Sequence, residues 1–186
     1  MKIAIDPGHG MNNSAPGVFD PGATKKVNGV TFAEADVVLR YGLTVKENLE
    51  GRNIPFFMTR SSSADPAPVG GRATRARNAG CTHFVSLHLN SAGSPNAAGI
   101  EVLFRDDAKD RALASRLQQK LVAITNLKDR GIKKRTDLAV LKFIPGPAVL
   151  IELGFISNDG DRDFINIREN RLDICQAIIE VLTSAS

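Results

Sequence analysis

Apolar positions along the chain alternate between short unbroken runs and stretches spaced by three and four, the pattern of a sheet with helices on its faces. The unbroken runs predict strands at 3–6, 54–59, 83–89, 100–104 and 148–151, with a further short strand at 138–141. The spaced stretches predict a helix over 33–50, carried by Val37, Val38, Tyr41 and Val45 and capped by Gly51. Further helices are predicted at 71–79, ended by Gly80, and at 108–124, with Leu113, Leu117, Leu121 and Ile124 on one face. Two more close the chain, at 161–167 and 170–182, while 8–29, rich in glycine, asparagine and proline, reads as one long loop. No repeat or linker divides the 186 residues, so a single domain over 1–186 is expected.

Polar residues interrupt these runs at their carboxyl ends. Asp6 and His9 follow the first strand, His88 and Asn90 end the third, and Glu152 follows the late one. Ligands of open α/β sheets gather outside the carboxyl ends of strands, so His9, His88 and Glu152 are expected at one edge.

Of the three histidines, His9 lies between Gly8 and Gly10, which let the backbone turn sharply and clear space around the ring. His83 and His88 share a strand at an odd spacing, so they face opposite ways. His88, nearer the carboxyl end, is the candidate ligand, and His83 is structural. Glu34 has two competing readings. Thr31-Phe32-Ala33-Glu34 matches a capping box, in which the carboxylate reaches back to a helix-start N–H. Alternatively, the preceding loop folds Glu34 over the His9 strand end, where two imidazoles and one carboxylate make a zinc site with an open position. Glu152, between Ala148-Val149-Leu150-Ile151 and Leu153-Gly154-Phe155, is either a desolvated carboxylate able to move a proton or a strand-end pairing group.

Composition narrows the partners. A net charge of +4 favours anionic surfaces: wall polymer, nucleic acid or lipid headgroups. The densest basic run, Lys133-Lys134-Arg135, reads as a solvated loop. With no tryptophan, Tyr41 as the single tyrosine and no base-reading motif, nucleic acid is not an expected partner. No apolar run approaches the roughly 20 residues of a membrane helix, so no membrane insertion is expected. The apolar start at 3–5 is too short for a signal peptide, which predicts synthesis in the cytoplasm and action after release. Cys81 and Cys175, far apart and without ligand spacing, read as two reduced, buried thiols.

Five segments together resemble a known family. Asp6-Pro7-Gly8-His9-Gly10, Asp20-Pro21-Gly22-Ala23, Glu34, Ser86-Leu87-His88-Leu89-Asn90 and Ile151-Glu152-Leu153-Gly154-Phe155-Ile156-Ser157-Asn158 resemble, in order, the type 3 zinc-dependent N-acetylmuramoyl-L-alanine amidases. Smaller echoes fall at Thr59-Arg60, Arg72, the region from Arg75 to Asn78, and 137–141. The resemblance implies a three-layer α/β/α fold with a twisted, mostly parallel sheet of about six strands. It implies one zinc ion on His9, Glu34 and His88, with Glu152 as the catalytic carboxylate. The implied substrate is peptidoglycan, cut between N-acetylmuramic acid and the L-alanine of the stem peptide. Some members that act in cell division carry a long insertion after the second histidine, with a helix that plugs the site; here 91–99 is short, which predicts an unplugged enzyme. A compact basic enzyme of this kind looks most like a phage endolysin, acting as a monomer, or else a remodelling autolysin. The rivals are a zinc peptidase acting within the stem and a non-catalytic peptidoglycan-binding module.

Overall fold

The computed structural model describes residues 1–143 and 145–184. Six strands form the central sheet: β1 (Ile3–Pro7), β6 (Phe56–Met58), β7 (His83–Asn90), β8 (Ile100–Phe104), β9 (Asp129–Lys134) and β10 (Ala148–Phe155). Their order is β6-β1-β7-β10-β8-β9. The first four run parallel; β8 is antiparallel to β10, and β9 is parallel to β8. The mostly parallel, six-stranded α/β architecture is therefore as expected.

Side chains alternate across each strand, and the two faces bury different things. Ile3, Ile5, Val85, Leu87, Val102, Phe104, Val149 and Ile151 join the larger apolar cluster under α1 (Glu34–Gly51), α3 (Arg111–Thr125) and α5 (Arg168–Thr183). Ala4, Phe84, Leu103 and Leu150 point the other way, into a smaller cluster under α2 (Arg72–Asn78) and a 3-10 turn, Ala139–Leu141. On that second face the same strands continue toward their carboxyl ends with Asp6, Ser86, His88 and Glu152. Both cysteines are free and buried, one in each cluster.

Several expectations are corrected. The 8–29 loop contains a two-residue pairing, β2 (Gly10–Met11) with β3 (Phe19–Asp20), and a hairpin, β4 (Thr24–Val27) with β5 (Val30–Ala33). The hairpin turns at Asn28-Gly29, both with positive φ, the conformation that two-residue hairpin turns demand. Gly51 stays inside α1; the left-handed residue beyond the helix is Asn53 (φ 55). Ile124 is 39% exposed, because the buried row of α3 runs Leu113, Leu117, Leu121 and then Thr125, whose hydroxyl donates to the Leu121 carbonyl. The expected strand at 138–141 is the 3-10 turn. Lys133 and Lys134 belong not to a loop but to edge strand β9, whose charged positions and bulge at Gly131 (φ 73) hide it from any apolar alternation. Finally, α4 (Asp159–Asn166) starts earlier than expected, because the Asn158 side chain accepts from the Asp161 N–H as its cap.

Candidate active site

At the carboxyl edge of the second face, His88 and Glu152 are in-register neighbours on β7 and β10. Gly8 lies against His88 so closely that a Cβ there would fall 2.3 Å from the imidazole. Glu34, the first residue of α1, is 3% exposed and turns its carboxylate inward. Its Oε1 accepts from the Leu89 N–H at 3.0 Å and lies 2.9 Å from His88 Nδ1 and 3.1 Å from His9 Nε2. Its Oε2 accepts from the Ala23 N–H at 2.9 Å. The capping box does not form: Thr31 lies in β5, and no side chain caps α1. Gly22 (φ +67) makes this clasp possible, since a Cβ would come within 2.7 Å of both Glu34 Oε2 and the His9 ring.

His9 reaches the site from a strained backbone position, with φ of 60 in a residue that carries a Cβ. Its Nδ1 is 3.1 Å from Asp20 Oδ2, which also accepts from Asn13 Nδ2 at 2.5 Å. Beneath the loop lies a buried polar layer. Asp6 accepts from Thr59, Ser86 and Arg72 and is fully buried, so it supports the site rather than lining it. Arg60 donates to the carbonyls of Pro7, Gly8 and Ala35, tying the His9 loop to the start of α1.

Burial works against charge throughout this pocket, and neighbours decide the outcome. Desolvation raises the Glu34 carboxyl, but the His88 and His9 imidazoles outweigh it and hold the group well below the usual carboxylate range. Desolvation lowers His9, but Glu34 and Asp20 outweigh it and raise the ring. Asp20 is held at about 2, its burial overcome by the Gly22 N–H, His9 and Asn13. Glu152 goes the other way. Burial pushes it up to about 7; Glu34 and Glu101 add to the rise, and His88 and His9 oppose it. Its Oε2 is shut off from solvent and meets no hydrogen-bond partner. On the neighbouring strand stands Glu101, its Cα partner on β8; burial raises its carboxyl, but Lys133 and Arg130 outweigh this and lower it, and Asn90 donates to its other oxygen.

The structure thus brings His9, Glu34 and His88 together, their potential ligand atoms all within 4.8 Å of one another, and sets Glu152 beside them. His83 sits at the opposite end of β7, bonded to the Thr82 hydroxyl. Two imidazoles and a carboxylate form a donor set that suits zinc, and a buried His88 Nε2 without a partner marks an unsatisfied polar atom at the same spot. The second-tier residues were not assigned roles from the sequence. Asp20 was visible only as part of a glycine-rich motif. Glu101 could have been found from a lone carboxylate interrupting an apolar strand. No helix forms between Asn90 and Ile100, so nothing helical from that connection covers the site.

Comparison with known proteins agrees with this geometry. Residues 3–184 match the N-acetylmuramoyl-L-alanine amidase family. The uncharacterised protein YqiI of Bacillus subtilis is 32% identical over 98% of the chain and 83% of its own length. The probable cell wall amidase LytH of Staphylococcus epidermidis is 31% identical over 97% of the chain, which spans 56% of that relative's length. The crystal structure of the N-acetylmuramoyl-L-alanine amidase of Clostridium difficile 630 superposes with a TM-score of 0.85 at 28% identity, covering 97% of this chain and 94% of that one. Sequence and fold agree along almost the whole chain: it belongs to the N-acetylmuramoyl-L-alanine amidase family, hydrolases of the peptidoglycan amide.

Proposed function

We propose that residues 1–186 form one catalytic domain that holds a single zinc ion on His9, Glu34 and His88 and uses Glu152 as its proton carrier. The bond cut joins N-acetylmuramic acid to L-alanine of the stem peptide. The observation that carries this reading is the convergence of three buried or half-buried donors beside a carboxylate with an unpartnered oxygen. Bound there, zinc supplies a Lewis acid for the scissile carbonyl and lowers the pKa of the attacking water.

The chain's own groups do the rest. Glu152, with its pKa lifted toward neutrality, accepts the proton of the attacking water and returns it to the departing alanine nitrogen. Asp20 fixes the His9 tautomer by accepting from Nδ1, leaving Nε2 to face Glu34. Glu34 is itself oriented by two backbone N–H groups, so its carboxylate does not depend on the metal for its position. The enzyme acts as a monomer on peptidoglycan at the wall, as a lysis enzyme or a remodelling autolysin. The wall role rests on relatives such as LytH, a probable cell wall amidase. Among the described residues no helix is long and apolar enough to cross a membrane.

The test is release of soluble fragments from purified peptidoglycan, with and without a chelator, followed by zinc restoration. New N-terminal alanine on intact glycan strands is expected. Loss of terminal stem residues instead would establish a peptidase, and sedimentation with the polymer without any release would establish a binding module.

A further inference from the structure

We propose that Arg72 is a positioning residue for the metal centre, holding His9 at both its backbone and its ring from a buried site on the far side of the loop. The proposal rests on the reading of His9 as a zinc ligand.

Arg72 is 1% exposed, and each of its donors is used. Nε donates to the Ala67 carbonyl at 2.9 Å. Nη1 donates to Asp6 Oδ1 at 3.2 Å and to the Pro7 carbonyl at 3.3 Å. Nη2 donates to the His9 carbonyl at 2.6 Å and to Asn13 Oδ1 at 2.8 Å. A guanidinium offers five N–H groups in a planar fork, and here all find acceptors. Burying such a cation is costly, and its pairing with Asp6 alone offsets little of that cost. The arrangement makes sense through what the remaining donors grip.

Two arms run from Nη2 to the same residue. The first ends directly on the His9 carbonyl and holds that residue in its left-handed backbone conformation. The second passes through a side-chain chain. Asn13 accepts from Arg72 with its oxygen and donates with its nitrogen to Asp20 Oδ2, which in turn faces His9 Nδ1. Only one orientation of the Asn13 amide satisfies a cation on one side and a carboxylate on the other, so the order of donors and acceptors is set along the whole path. Outer partners of this kind typically govern metal affinity by roughly 10- to 100-fold.

The experiment measures zinc affinity by chelator competition, the Co(II) absorption spectrum and thermal stability of the metal-free protein. It compares wild type, Arg72→Lys, Asn13→Ala, the double variant and Arg75→Ala. Arg72→Lys keeps the charge but cannot reproduce the fork; Asn13→Ala cuts only the ring arm at a half-exposed position and serves if the lysine variant does not fold. Arg75, on the same short helix, donates to the Pro66 carbonyl and touches neither arm. Expected are affinity losses of about tenfold or more for Arg72→Lys, a smaller loss for Asn13→Ala, altered Co(II) spectra for both and no change for Arg75→Ala. The double variant should lose less than the product of the single losses, because the Asn13 arm depends on Arg72. Unchanged zinc affinity and Co(II) spectra in both single variants, with only a shift in melting temperature, would overturn the proposal. So would losses that multiply independently. Wild-type protein that binds no zinc would instead overturn the function proposed above.

Discussion

The two faces of the sheet are made by the same strands and do opposite work. On the face under α1, α3 and α5, neighbours such as Ile151 and Leu87 are buried among apolar side chains and lend stability. One residue along, Glu152 and His88 point to the other face, where the described helical cover is one short helix and two 3-10 turns, Val69–Gly71 and Ala139–Leu141. There the strand ends carry charges whose burial is costly. A fold of this kind separates its two tasks by the parity of a residue's position in its strand, so adjacent substitutions in β10 should fail in different ways.

The largest effect expected from that contrast is on turnover. Glu152→Gln should reduce fragment release by roughly 10²- to 10⁴-fold while zinc content stays that of the wild type, whereas His88→Ala should lose both. An active Glu152→Gln protein would break the assignment. Its neighbour should behave in reverse. Ile151→Ala, at a fully buried position, should cost about 2–5 kcal/mol in denaturant unfolding and keep its zinc site. Loss of zinc at unchanged stability would show that the faces are not independent.

A pH series sharpens the same contrast. In the metal-free protein the folded-state pKa of Glu152, about 7, lies above its ordinary value of 4.5, so between those pH values the folded state binds more protons than the unfolded one. Stability from this group therefore falls as pH rises through that window, by about 3 kcal/mol once it is fully ionised. The stability of Glu152→Gln relative to wild type should thus grow from pH 5 to pH 8; a gap that stays constant would show that burial does not set this pKa. The smallest effect marks where the apolar face ends. Ile124→Lys, on the exposed side of α3, should shift stability by no more than about 0.5 kcal/mol.

The apolar face was largely legible in the sequence, because periodicity reports burial directly: 3–6, 100–104 and the α1 and α5 helices follow from spacing alone. The strand-borne half of the site was legible by the same route, since His88 and Glu152 interrupt apolar runs. Of the loop-borne half, His9 was legible from its strand-end position and flanking glycines, and Glu34 was not. Glu34 reads locally as a cap, and only contacts with Ala23, Leu89 and His88, distant in sequence, decide otherwise. Arg60 and Arg72 stood in the sequence only as echoes of the family, with no role attached; what holds them buried is a set of backbone carbonyls that no side-chain pattern records. Strand β9 escaped for a related reason, as an edge strand advertises charge rather than alternation.

The reversal of β8 has a consequence for how such an enzyme changes over generations. Because β8 runs against β7 and β10, the connection after Asn90 both leaves and re-enters the sheet at the mouth of the site. Residues added there would emerge at the edge that carries His88 and Glu152, outside the strands that build the apolar face. That makes one short stretch of chain the natural place for evolution, or an engineer, to fit a cover, lengthen it or take it away, trading free access for control in a single insertion.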